Sequence, residues 1–168
     1  AAQGPVQLEA RENYPRQSYR NRCYILADDG PLMLQVPIVH QPDRAITRVK
    51  VDYSTPWVVR TERALSTAYE SSAYFAYYAD ELFALLEAKP ETLWELNLSL
   101  LQWCLQKMHV ECMLEPTSAF AMPGTVADDY RYSIHPKHPD RVLESLHLDR
   151  PYYQVFRDKL GGFTPGLS

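Results

Sequence analysis

Apolar and polar positions alternate through the first third of the chain and recur at helical spacing through the middle. Val6 to Ala10 alternates as a short strand. Cys23 to Ala27 and Leu32 to Val39 flank Asp28-Asp29-Gly30 and predict a β-hairpin, because Asp-Gly supplies the positive φ of a tight turn. Pro37 interrupts the second arm, which makes it an edge strand or a bulged one. Ile46 to Val51 alternates again, with Ile46, Val49 and Val51 apolar. The expected sheet is small, mostly antiparallel and roughly four-stranded.

Three helices are predicted next. Thr55-Pro56 reads as an N-cap and first helical residue, followed by Trp57, Thr61, Ala64, Leu65 and Ala68 at helical spacing. A second helix runs from about Ala73 to Ala88 and stops before Pro90. A third runs from Glu91 to about Met108, where Leu93, Leu96, Leu100, Cys104 and Met108 form one stripe expected at the centre of the core. Trp57, Tyr74 and Phe75 are expected in the core, and Asn97 as a satisfied buried amide. Glu111 to Leu114 reads as a short strand. Pro116 to Pro139, rich in proline, glycine and charge, reads as a long ordered loop. Asp140 to Leu146 and Tyr152 to Leu160 are short helix candidates. The fold class is α+β: a small, mostly antiparallel sheet from the N-terminal half, packed against a helical C-terminal half in one domain spanning residues 1–168.

Composition narrows the function classes. A net charge of −4 disfavours general nucleic-acid binding, which needs a basic footprint. Arginine outnumbers lysine 12 to 5, a bias towards planar oxyanion contacts or towards ion pairs. The 12 tyrosines suit aromatic-lined surfaces as well as cores. Cys23, Cys104 and Cys112 form no Cys-x-x-Cys unit, so neither a disulfide scaffold nor a cysteine zinc site is expected. With no leader pattern and no apolar run long enough for a membrane span, the expected location is cytoplasmic. The P-loop, Rossmann, nucleophile-elbow and His-Glu-x-x-His motifs are absent from the sequence, and no cofactor is expected. Oligomer formation is left open.

Two stretches carry candidate chemistry. In Tyr19-Arg20-Asn21-Arg22, strand alternation would point Arg20 and Arg22 to one face, ~7 Å apart, able to grip a phosphate or a carboxylate pair. Charges guarding an exposed edge would look the same. In Arg131-Tyr132-Ser133-Ile134-His135-Pro136-Lys137-His138, His135 can move a proton near neutral pH. Arg131 and Lys137 can stabilise developing negative charge. The competing reading is a solvated basic turn stiffened by proline. His135-x-x-His138 makes a poor metal site, since no acidic or cysteine ligand follows at motif spacing. His40 lies just past the strand ending at Val39, a place that suits a site residue and, more often, an ordinary turn residue. Tyr152 and Gln154 are candidate substrate contacts on an aromatic run that also suits helix packing.

Several segments together resemble the WbqC-like family. They include Glu12-Asn13-Tyr14 with Gln17 to Cys23, Val36-Pro37-Ile38-Val39-His40, and Asp52-Tyr53-Ser54-Thr55-Pro56-Trp57. Later ones are Ala73-Tyr74-Phe75, Tyr130 to Lys137, Tyr152 to Phe156, and the closing Gly162-Phe163 with Pro165-Gly166-Leu167-Ser168. The resemblance implies an enzymatic role and, in some bacteria, an association with surface-polysaccharide genes. The expected function is a transferase-like enzyme acting on an anionic small molecule, such as a nucleotide sugar or sugar-linked group. Its rivals are a non-catalytic carbohydrate- or peptide-binding module and a scaffold in a biosynthetic complex.

Overall fold

The computed structural model describes residues 5–126, 128–134, 151, 158 and 162. Strands lie mostly in the N-terminal half and helices follow, giving the expected α+β class. The hairpin forms where Asp-Gly places it. β2 (Arg22–Ala27) pairs antiparallel with β3 (Gly30–Gln35), and Ala27 opposite Gly30 leaves Asp28-Asp29 as the two turn residues. Gly30 has φ +116°, a conformation that L side chains rarely adopt. Pro37 falls just beyond β3, where its missing N–H breaks no ladder bond.

The expected four-stranded sheet is instead two separate pairs. β1 (Val6–Leu8) runs parallel to β4 (Leu114–Pro116), joined across most of the chain. Ile46 to Val51 is not a strand. Ile46–Arg48 forms a 3₁₀ turn, and the next residues bridge in two directions, Val51 to Ile38 and Lys50 to Thr92. The segment has different backbone partners on its two sides, so no continuous ladder forms. Its apolar positions still point inward, with Ile46, Val49 and Val51 all buried.

α1 (Trp57–Tyr69) begins one residue later than Thr55-Pro56 suggested. Pro56 is its N-cap, and the Thr55 carbonyl rather than its hydroxyl accepts from the Trp57 amide, at 2.9 Å. α2 (Phe75–Glu87) starts from Tyr74, held at φ 67° and exposed rather than in the core. α3 (Leu93–Lys107) starts with a capping box: the Glu95 amide donates to Thr92 Oγ1 (3.2 Å) and the Thr92 amide to Glu95 Oε2 (3.1 Å). Its stripe is central only at its start. Leu93 and Leu96 are fully buried, and Leu100 packs against the core from its edge. Further along, Cys104 and Met108 are exposed. The core gathers Tyr14, Ile46, Val49, Val51, Trp57, Val58, Leu86, Leu93 and Leu96. Among the described residues no helix is long and apolar enough to cross a membrane.

Candidate anion-binding site

One cavity, of about 390 Å³, opens beside this core, within the range usual for small-molecule sites. The loop after Tyr14, the start of β2, the end of β3 and the segment 37–44 form its walls. Each wall is fixed locally. Buried Ser18 donates to the Pro15 carbonyl (3.0 Å), closing a tight loop in which Gln17 takes φ 58° and which carries Arg16 and Gln17 to the cavity. Asn21 extends the β2–β3 pairing by one step. Its carbonyl accepts from the Val36 amide (2.8 Å), and its side-chain nitrogen donates to the Val36 carbonyl (2.9 Å). Beyond β3, the Val39 amide donates to the Lys50 carbonyl (2.9 Å), holding the chain that ends at His40. Arg44 and Tyr14 tie the far wall to the first loop. The Tyr14 amide donates to the Arg44 carbonyl and Arg44 Nη2 to the Tyr14 carbonyl, both at 2.7 Å.

Three arginines, Arg16, Arg22 and Arg44, line this space, against one carboxylate. That carboxylate, Asp43, is already engaged by Arg48 at 2.7 Å and by the Ala45 amide at 3.0 Å. Among the described residues, Arg16 and Arg22 join no ion pair. Arg22 Nε is buried and has no hydrogen-bond partner among the described residues. A buried donor on a permanent cation with no acceptor is costly, and the same side chain borders a cavity in which an oxyanion would offset its charge. His40 lines the same cavity and brings an imidazole to it.

The arginine pair expected on one face is split. The chain turns through residues 19–21 and the strand begins only at Arg22, so alternation does not reach Arg20. Arg20 bonds Glu12 through Nε (2.7 Å) and Nη2 (2.6 Å), and lines a different cavity of about 260 Å³. Its carbonyl also accepts from the side chain of Asn97, which is exposed rather than buried (2.8 Å). Tyr19 is 44% exposed and lines neither cavity.

Arg131 lines that second cavity with Arg20, and four of its five N–H donors are bonded. It forks onto Asp129 through Nε to Oδ1 (2.8 Å) and Nη2 to Oδ2 (2.6 Å). It also donates to Glu9 Oε2 (3.1 Å) and the Ala121 carbonyl (2.9 Å), with Phe120 and Tyr132 rings each 5.5 Å away. Glu9 is itself a hub. It accepts from the Arg11 amide (2.7 Å), the Thr117 hydroxyl (2.8 Å) and the Ala121 amide (2.9 Å). Burial would raise the Glu9 carboxyl, but these donors and the Arg131 charge outweigh it and hold its pKa low. Hydrogen bonding from Arg131 does the same for Asp129.

His135, Lys137, Tyr152 and Gln154, like His138, lie outside the described residues. Of the remaining candidates, the structure gathers Asn21, Arg22 and His40 into one cavity and puts Arg20 and Arg131 at another. Arg16 and Arg44 were missed, although the arginine excess pointed to them in aggregate. Neither sits in a run of charge, and the turns Tyr14-Pro15-Arg16 and Pro42-Asp43-Arg44 look like ordinary surface loops until folded. Among the described residues no group of three or more histidine, cysteine or carboxylate side chains could hold a metal.

The model of the WbqC-like protein family matches residues 6–159. The chain belongs to that family. The match takes in both arginine-bearing walls and the Arg131 loop of this WbqC-like chain. No match is found among curated proteins or among solved structures.

Proposed function

We propose that this WbqC-like protein binds an anionic small molecule in the Arg22 cavity and acts on it as a transferase-like enzyme. The substrate class is a nucleotide sugar or another sugar-linked anion, in surface-polysaccharide biosynthesis in the cytoplasm. One observation carries the anion: the buried, unpartnered Nε of Arg22, in a space shared with Arg16 and Arg44. The sugar-linked part rests on the family's association with surface-polysaccharide genes. In this reading Arg22 grips the anion, and His40 is the described group able to exchange a proton beside it. His135 as general base and Lys137 as a partner for developing charge complete the mechanism. Arg131 holds its loop in place, since four of its five donors are already taken.

Thermal unfolding of the full chain with inorganic phosphate, nucleoside diphosphates and nucleotide sugars tests this directly. A ligand of the folded state should raise the melting temperature as its concentration passes Kd, and Arg22→Ala should abolish the rise. A panel of anions that leaves the melting temperature unmoved would defeat the reading. So would a rise that persists in Arg22→Ala.

A second reading has its own support. Tyr24, two residues beyond Arg22 on β2 and so on the same strand face, is 45% exposed, as a sugar-stacking residue would be. In a non-catalytic carbohydrate module, ligand would bind without turnover. Incubating the protein with the best nucleotide sugar and an acceptor, then analysing products, separates the two.

A further inference from the structure

Tyr14 sits where a phenylalanine would serve if packing were the whole requirement. Its side chain is only 6% exposed and belongs to the core cluster with Ile46, Val49, Val51 and Trp57. Its main chain is pinned from both sides by Arg44. Yet Tyr14 also lines the Arg22 cavity, and its hydroxyl makes no hydrogen bond among the described residues. The hydroxyl is not among the buried atoms left without a partner, so it reaches accessible space.

The charged groups around it explain what is missing. Arg22 and Arg20 both act electrostatically on the phenol. Guanidinium groups are donors without an acceptor, so neither can receive the phenol proton. Arg16 and Arg44, across the same cavity, have the same limitation. The carboxylate in the lining, Asp43, is held by Arg48 and Ala45, and Glu12 is held by Arg20. An entering oxyanion brings an acceptor into a lining whose charged groups are mostly cationic.

We propose that Tyr14 is a ligand-binding residue of this cavity, its hydroxyl donating to an oxygen of the anion held by the Arg22 fork. The proposal rests on the anion-binding reading above and extends it from a set of cations to a site with a neutral donor at its inner wall. The ligand chemistry it fits is a phosphate or phosphate ester, which has oxygens enough to accept from the Arg22 fork and the phenol together. Burial keeps the phenol protonated against the pull of the two cations, so it is a donor at neutral pH.

Calorimetric titration of the full chain with inorganic phosphate tests the proposal, using wild type, Tyr14→Phe and Arg22→Ala. Loss of one hydrogen bond to a charged ligand should weaken phosphate binding roughly tenfold in Tyr14→Phe. The ligand-free melting temperature should hold or rise, since the hydroxyl has no protein partner to lose. If Arg22→Ala loses binding while Tyr14→Phe binds like wild type, the Tyr14 role is wrong and the Arg22 reading stands. Wild type that takes up no phosphate, or binding unchanged in both variants, overturns the anion reading and the Tyr14 role together. A ligand-free Tyr14→Phe protein that melts several degrees lower shows a structural partner for the hydroxyl, and that also overturns the proposal.

Discussion

Arg22 and Arg131 are the same side chain in opposite circumstances. Arg131 spends four of its five donors on Asp129, Glu9 and the Ala121 carbonyl and lies 5.5 Å from each of two aromatic rings. Arg22 has a buried nitrogen with no partner and stands with two further arginines around a cavity whose one carboxylate is occupied. By sequence, Arg22 and Arg131 had comparable claims to chemistry, one in an arginine pair and the other before histidines and a lysine. Folding gives them different surroundings. A well-partnered guanidinium fixes the chain, whereas an unsatisfied one near open space is a ligand's counterpart. The comparison can be broken by showing that either arginine does the other's work.

The largest effect should come from the well-partnered one. Arg131→Ala leaves the nearly buried Glu9 and Asp129 carboxylates without their shared cation, with side-chain exposures of 5% and 12%. Denaturant unfolding should show a loss of about 3 kcal/mol at neutral pH. Both carboxyls have lowered folded pKa values, so their contribution is present above the ordinary carboxylate range. It is lost as pH falls through the lowered values. The gap between wild type and Arg131→Ala should therefore be full at pH 7 and close below about pH 4. A gap that stays constant with pH would mean that the clamp is not electrostatic.

How much of this was legible beforehand follows from range. Local signals were read well. The Asp28-Asp29-Gly30 turn, the three helices and the helix end before Pro90 all depend on residues a few positions apart. Contacts set by distant partners were not readable. Ile46 to Val51 has the alternation of a strand, yet its backbone partners are split between residues 38–39 and 91–93. The α3 stripe is continuous in sequence, but the packing elements cover only its first turns, leaving Met108 exposed. The site was half legible for the same reason. Arg22 and His40 carried local cues, while Arg16 and Arg44 acquire meaning only when two loops meet at Tyr14. The pairing that occupies Arg20 lies eight residues back at Glu12, while Arg131 is held by Asp129 two residues back and by Glu9 122 residues back.

Arg22→Lys sharpens the comparison from the other side. Lysine keeps the charge and loses the planar fork and the unpartnered nitrogen. Phosphate affinity should fall roughly tenfold by calorimetry while unfolding stability is unchanged or slightly raised. Arg20 is the intermediate case, because it is paired with Glu12 but close enough to influence Tyr14. With a side-chain exposure of 22%, it should give Arg20→Ala a stability loss of about 1 kcal/mol and less than about twofold loss of phosphate affinity. A large affinity loss there would make Arg20 part of the anion site and erase the division between the two cavities.

The smallest effect tests whether an unpartnered buried atom is enough to mark a site. Glu62 Oε1 is such an atom, at a third cavity that it shares with Glu87. Burial, and then the neighbouring Glu87 charge, raise the Glu62 carboxyl pKa. A raised carboxyl favours the folded state while protonated, and that advantage is lost as pH rises through the folded pKa. At neutral pH the charge on Glu62 is therefore a cost. Glu62→Gln should raise stability by less than about 1 kcal/mol at pH 7 and leave it unchanged near pH 4, measured by denaturant unfolding at both values. Unlike Arg22, Glu62 is raised towards neutrality, and a group that can shed its charge relieves its own burial without a ligand. A guanidinium cannot do so at any physiological pH. That difference in chemistry separates an unsatisfied arginine that calls for an anion from an unsatisfied glutamate whose cost disappears as pH falls.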